Sequence, residues 1–225
     1  MTTAPRADTP TLAEDLLLLF QPASGTIAGE NTLFYVLGGA VLADLALGDH
    51  LTAEAKGRVG SVPGHPPSDG LLRSAWDYLA AKPRGVQTAL AAIGPTLREP
   101  VLRRLIARGD IDQEPHKVLG LFRTTVLRDG RTERRPRLLA DVRRVLVDGA
   151  EPPARVAALA ALLSASGTLP QFHREIPWTS PVINRAKELE RGDWGADAAG
   201  AAVTRTVTAT VVNSAIGAIT VLPRS

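Results

Sequence analysis

Two stretches of this chain follow one plan, and that plan limits the fold more than any other feature. Residues 42–54 read LADLALGDHLTAE and residues 102–114 read LRRLIARGDIDQE. Each is an apolar-striped helix, then Gly-Asp, then one apolar residue, then a short polar strand. Glycine after the last apolar position is a common left-handed helix stop, so Gly48 and Gly109 are expected to end the two helices. The match is a weak internal repeat. No strand–helix–strand alternation runs through the chain, which argues against a Rossmann-like sheet. The expectation is a mainly α protein: a single globular helical domain with two or three short β-hairpins.

The rest of the chain fits that expectation. In TLAEDLLLLF, Thr11 and Glu14 form a capping box, and Leu12, Leu16 and Leu19 share one helical face. Pro22 ends this helix. Residues 23–32, ASGTIAGENT, suggest a small hairpin around Ile27. Phe34, Leu37, Val41 and Leu45 fall at helical spacing, so the helix over 34–47 should pack one face inward. Residues 57–69 are rich in Gly and Pro and read as a loop. Asp69 caps the next helix, with Leu72, Ala75, Trp76 and Leu79 inward. Further helices follow over 85–94 and 96–109. Residues 117–135 read as a hairpin whose arms flank Asp129-Gly130, a tight-turn dipeptide. Helices are expected over 136–149, 152–167 and 181–197. The last, 198–222, is poorly defined because Thr and Val are mediocre helix formers. Residues 1–10 are Pro/Thr-rich and expected to be disordered, leaving 11–225 as the domain.

Chemistry is scarce. The chain has no cysteine, which removes disulfides and thiolate metal sites and suits a reducing cytoplasm. MTTAPRADTP carries no apolar segment of a secretory signal. The one long uncharged run, Thr206 to Pro223, reads as a buried C-terminal helix before a membrane span. There is no G-x-S-x-G, no phosphate-binding P-loop, no G-x-G-x-x-G after a strand and no H-E-x-x-H. The four histidines, His50, His65, His116 and His173, lie far apart without helical ligand spacing. Carboxylates pair only as caps or surface acids. The reading is a binding module and not an enzyme, with no catalytic residue, metal or cofactor.

Charge points to the partner. Net charge is +3, and 22 of the 26 basic residues are arginine. Residues 98–144 hold twelve arginines and one lysine against seven acids. A basic centre in a nearly neutral chain suggests a phosphate, a nucleic acid or a lipid headgroup, or else a solvated arginine-rich face.

TLAEDLLLLFQPASGTIAG, VLGGAVLADLALGDHLTAE and LRRLIARGDI followed by VLGLFRTTVL resemble, in order and spacing, the signature segments of the Golgi phosphoprotein 3 family, here a bacterial member. Those segments are T-L-x-E-E-L-L-L-L, L-R-G-x-x-L-x-E-L-A-L-x-G-R-L and R-L-x-x-x-L-V-x-K-G-V-L. The resemblance implies a mostly helical fold, a monomer or weak oligomer, and peripheral binding to anionic membrane lipid from the cytoplasm. In eukaryotic relatives the ligand is phosphatidylinositol 4-phosphate, held by a basic pocket beside an apolar hairpin tip, and a glycosyltransferase tail is a second partner. At the family's headgroup arginine this chain has Gly38. The later R-N-V-R pair falls on Pro95 and Arg98, and the expected tryptophan falls near Gly29. Glycine cannot supply an arginine fork.

The candidate headgroup ligands are therefore Arg98, Arg103, Arg104, Arg123 and Arg128. Val126 and Leu127, beside Arg128-Asp129-Gly130-Arg131, are the candidate membrane-inserting pair, contributing roughly 3–5 kcal/mol if both bury in lipid. The same two side chains could pack on the hairpin's helical neighbours. Two other readings stand beside the lipid one. A winged helix-turn-helix would use Leu97 to Arg108 as recognition helix and Arg123 to Arg135 as wing. That helix lacks Asn, Gln or Ser for base edges, which argues against nucleic acid. A protein tail could instead seat in a small-residue groove around Gly38–Ala43.

Overall fold

The computed structural model describes residues 9–20, 33–118, 122–194 and 205–213, with backbone alone at 115–118 and 122–124. The hairpin expected at 23–32, the disorder expected at the start of the chain and most of the last expected helix lie outside the described residues.

The fold is mainly α with two small antiparallel sheets. The first helices are α1 (Leu12–Phe20) and α2 (Leu33–Leu47). Strands β1 (Leu51–Glu54) and β2 (Arg58–Ser61) follow, then α3 (Gly70–Ala80), β3 (Arg84–Gly85), α4 (Val86–Ile93) and α5 (Arg98–Ala107). A ribbon of β4 (Ile111–Val118) and β5 (Phe122–Asp129) leads to α6 (Arg134–Leu146), α7 (Ala154–Ala165), α8 (Ser180–Glu190) and α9 (205–213). Among these residues no helix is long and apolar enough to cross a membrane.

Helix α2 is the axis of the core. It was expected to bury one face, yet it is buried almost all round, from Leu33 through Ala46. The reason is composition. Its sequence LFYVLGGAVLADLAL offers no polar face, and a helix apolar on all sides belongs inside. The small residues allow close neighbours. A Cβ on Gly38 would meet Leu90 at 3.2 Å, and one on Gly39 would meet Val211 of α9 at 2.4 Å and Leu162 of α7 at 3.1 Å. The groove proposed around Gly38–Ala43 is thus filled by the protein's own helices and is not a surface for a tail.

Two strands were missed, β2 and the two-residue β3 that pairs with it. Residues 58–61 were read as loop, but β2 pairs antiparallel with β1, Leu51 opposite Ser61 and Glu54 opposite Arg58. Its GRVGSVPG context has weak strand propensity. Pairing with β1 and burial of Val59 specify it instead.

The two repeated modules share one backbone device. Helix α2 ends with His50 N–H donating to Leu45 O at 2.8 Å and Asp49 N–H to Ala46 O at 3.2 Å. Helix α5 ends with Asp110 N–H donating to Leu105 O at 2.9 Å and Gly109 N–H to Ile106 O at 3.0 Å. Both are Schellman closures. The left-handed residue is Asp49 (φ 57°) in the first and Gly109 (φ 76°) in the second. The repeat therefore aligns Leu45 with Leu105 and Leu51 with Ile111, one position off the Gly-Asp match. Aspartate tolerates the left-handed region better than most side chains. Gly48 serves a different need, since a Cβ there would lie 2.7 Å from the His50 ring.

The ribbon corrects a second expectation. Ile111 pairs with Asp129 and Val118 with Phe122, so the strands join through 119–121 and not at Asp129-Gly130. Gly130 lies at the ribbon's base. Its N–H donates to Asp110 O at 2.9 Å, and a Cβ on it would fall 2.0 Å from Gly109 O. The glycine serves a backbone crossing, a demand that the Asp-Gly pattern does not distinguish from a turn.

Candidate functional site

Of the candidate arginines whose side chains are described, one turns inward and three are exposed. Arg98 begins α5 and is exposed. Arg103 is 70% exposed, with Glu99 3.7 Å away one turn back. Arg104, one residue on, turns inward. It donates to both Asp69 oxygens, at 2.6 and 3.1 Å, and lies 3.7 Å from the buried Glu14. Arg128 on β5 is exposed and donates to Glu114 at 2.5 Å. Arg123 is on β5 opposite Lys117; its side chain lies outside the described residues.

Val126 and Leu127 are not at the ribbon's tip. They pair with Glu114 and Gln113, near the base, and Leu127 packs against the hydrophobic core. The displaced turn is the physical cause. Gly38 is likewise a core position, so this part of α2 presents no headgroup surface here.

What remains outside is a face where α5 meets the ribbon. A cleft of about 410 Å³ runs between them, lined by Glu99, Leu102, Arg103, Ile106, Ala107 and Gln113. Arg98 lies at the start of the same helix, and Arg128 lies on the strand that pairs with β4. The ion pairs of Arg103 and Arg128 are solvent-exposed and exchange readily with other anions.

The larger charged feature was not read from the sequence. Beneath α5, around the start of α1, five carboxylates meet four guanidiniums. Glu14 accepts from Thr11 N–H at 2.8 Å, from the Thr11 hydroxyl at 2.9 Å and from Arg108 at 3.0 Å. Asp15 accepts from Arg134 at 2.6 Å and Arg155 at 2.5 Å. Arg134 also donates to Asp110 at 2.5 Å, which in turn accepts from the Thr132 hydroxyl. Arg155 donates to Asp44 at 2.9 Å and to the Pro10 carbonyl at 2.6 Å. Asp44 also takes the Leu12 N–H. Asp69 both caps α3, accepting from Leu71 and Leu72, and holds Arg104.

The acids Glu14, Asp15, Asp44 and Asp110 are all buried. Burial pushes the Asp44 carboxyl up to about 7, with nearby Asp15 adding to the rise and Arg155 and the Leu12 N–H opposing it. Burial works in the same upward direction on Asp69, but Arg104 and the two backbone N–H groups outweigh it and hold that carboxyl below its usual range. The excess of one carboxylate over the guanidiniums fits a hub that keeps Asp44 near its midpoint at neutral pH. One sequence signal pointed here: Asp44 is the lone charge in an otherwise apolar helix, and a buried charge requires a partner.

A mainly helical protein of this kind, pinned at its first helix by buried arginine–carboxylate pairs and presenting a basic helix beside a β-ribbon, is defined by how it displays charge. Among its described residues there is no cluster of acidic, histidine or cysteine side chains able to hold a metal ion. The chain matches the Golgi phosphoprotein 3 (GPP34) family over residues 12–206, and it belongs to that family. No curated protein sequence matches it.

Proposed function

We propose that this protein is a non-enzymatic, cytoplasmic module that binds peripherally to anionic membranes, without selectivity for a phosphoinositide. The observation that supports this most is the exposed face at α5. Arg98 and Arg103 project from the helix beside a cleft, and Arg128 lies on the adjoining ribbon. Each exposed basic side chain near an anionic surface adds ~1 kcal/mol, so three give reversible, salt-sensitive attachment. Family membership favours a lipid-facing role. The burial of Gly38 argues against the forked headgroup pocket of relatives, because this position packs against Leu90 and Gly94.

Flotation with liposomes tests the reading. Vesicles of neutral lipid, neutral plus generic anionic lipid, and neutral plus phosphatidylinositol 4-phosphate are compared at low and moderate salt. Equal recruitment to both anionic sets, lost as salt rises, is the expected outcome. Recruitment should drop in Arg98→Glu/Arg103→Glu. Binding to phosphatidylinositol 4-phosphate that survives salt would replace this reading with a specific pocket, and no binding to any vesicle would end it.

A further inference from the structure

One side chain of the hub holds the start of α1 to two other helices. Arg155 of α7 donates to Asp15 of α1 at 2.5 Å, to Asp44 of α2 at 2.9 Å and to the Pro10 carbonyl at 2.6 Å. Asp44 in turn accepts the Leu12 N–H at 2.5 Å. Arg155 and Asp44 together clip the first turn of α1, one through the carbonyl that precedes it and the other through its first amide.

The clip also stands where water can reach the hub. Asp44 lies on a helix that is buried almost all round. Beside the start of α1, however, a cleft of about 240 Å³ opens, and Thr9, Pro10, Asp15 and Arg155 are among its lining residues. Arg155 therefore faces the cleft and bonds Asp44 at once. Its side chain is 36% exposed against 7% for Asp44, which puts the guanidinium between the carboxyl and solvent. Lifting Thr9 to Thr11 breaks the Arg155–Pro10, Leu12–Asp44 and Thr11–Glu14 bonds and hydrates Asp44. Short openings at a helix end are the least costly kind.

Ionisation of Asp44 favours that opening. It is faced by Asp15 and the Leu12 N–H from α1 and by Arg155 from α7. The hub's other charges are engaged elsewhere: Glu14 with Arg104 and Arg108, and Asp110 with Arg134. Asp141, on the cleft's edge, pairs with Arg144. In the closed clip, burial raises the Asp44 carboxyl by more than Arg155 and the Leu12 N–H lower it, so closure favours the protonated form. Water entry removes the burial and favours the carboxylate. By linkage, an open state that hydrates Asp44 gains population as pH rises towards 7, by at most about tenfold per pH unit, and levels off above that.

We propose that Arg155 and Asp44 form a pH-gated clip on the start of α1, closed in mild acid and opening locally as pH rises to neutrality, while the rest of the helical core stays folded. The clip shares no residue with the α5 face, so it stands or falls independently of the membrane reading above.

Amide hydrogen exchange on the isotope-labelled full chain tests this, with rates corrected for the intrinsic pH dependence of exchange. The opening constant at Leu12 should rise at least tenfold from pH 5 to 7 and stay level from 7 to 8. At pH 7 it should exceed that of Leu90, a fully buried residue of α4, by at least tenfold, and low concentrations of urea should leave it unchanged. Asp44→Asn keeps an oxygen to accept the Leu12 N–H but cannot ionise, so its Leu12 opening constant should not vary with pH. The wild-type profile alone decides the matter if that variant fails to fold. A Leu12 opening constant that is flat from pH 5 to 7 overturns the proposal. So does one that matches Leu90 in size and urea dependence, because the clip then opens only when the whole protein unfolds. A slope retained in Asp44→Asn overturns it as well, since another group then drives the opening.

Discussion

Arg103 and Arg104 are adjacent in α5 and have opposite fates. The first is 70% exposed beside Glu99, and the second is 28% exposed and locked to Asp69. The same division runs through the protein. Arg104, Arg108, Arg134 and Arg155 hold buried acids around the start of α1, while Arg98, Arg103, Arg128, Arg191 and Arg205 face solvent or open clefts. Adjacent helical positions point about 100° apart, so one turn of arginine-rich helix can serve the interior and the surface at once. A local charge count cannot distinguish the two sets. The inner arginines should therefore carry stability, and the outer ones should carry binding.

The largest effect should come from breaking the inner set. Arg134 bridges Asp15 and Asp110, both buried. In Arg134→Ala, Asp15 keeps only Arg155 and Asp110 only the Thr132 hydroxyl and its backbone contacts. Removing one partner of a buried pair costs about 3–5 kcal/mol, measurable as a lower urea midpoint with an unchanged slope. A loss below about 1 kcal/mol would mean that water reaches the hub and that the inner–outer division is not energetic.

Next is the pH dependence of Asp44. Its carboxyl titrates at about 7 in the folded protein and at about 3.9 in an unfolded chain. Between those values the folded state binds the extra proton, so stability is greatest at the acidic end and falls as pH rises towards 7. Above 7 the cost of the buried charge is fully present, on the order of 2–4 kcal/mol. Unfolding free energies between pH 5 and 8 should therefore slope downward in the wild-type chain. Asp44→Asn should flatten that slope, with its main gain at pH 8. A wild-type profile that rises over this window would mean that Arg155 keeps Asp44 ionised throughout.

The capping box predicts a smaller loss. Thr11 both donates to Glu14 and accepts, through its hydroxyl, the Glu14 N–H at 3.2 Å. Thr11→Ala should cost about 1 kcal/mol by the same denaturation assay. A much larger loss would place Thr11 within the hub and not merely at a helix end.

How much of this was legible follows from the same division. Helical spacing exposed α3, α5 and α6 because burial of one apolar stripe is a local, periodic signal. The Thr11–Glu14 box and the Asp69 cap were legible for the same reason, since both act over three residues. The hub was not. Arg155 reaches Asp15 across 140 positions and Arg134 reaches it across 119, and no periodicity encodes such pairs. Glu14 read as a cap, and it is one, but its burial under Arg108 depends on tertiary packing. Asp129-Gly130 misled for a related reason. A glycine required by a crossing with Gly109 has the same sequence pattern as one required by a turn. The error moved Val126 and Leu127 from the ribbon's base to an imagined tip.

The outer set gives the smallest stability effect and the sharpest version of the comparison. Arg103 and Arg128 each sit in an exposed pair, with Glu99 and Glu114. Exposed pairs contribute about 0–1 kcal/mol, so Arg103→Ala/Arg128→Ala should shift the urea midpoint very little. The same double variant should lose much of its recruitment to anionic vesicles at low salt, because two exposed basic side chains, one on α5 and one on the ribbon, are gone. Measured together, denaturation and flotation place each arginine on two axes. Arg134→Ala should move along the stability axis and Arg103→Ala/Arg128→Ala along the binding axis. If the surface variant loses several kcal/mol while its flotation is unchanged, these arginines belong to the scaffold and the α5 face is not the membrane surface.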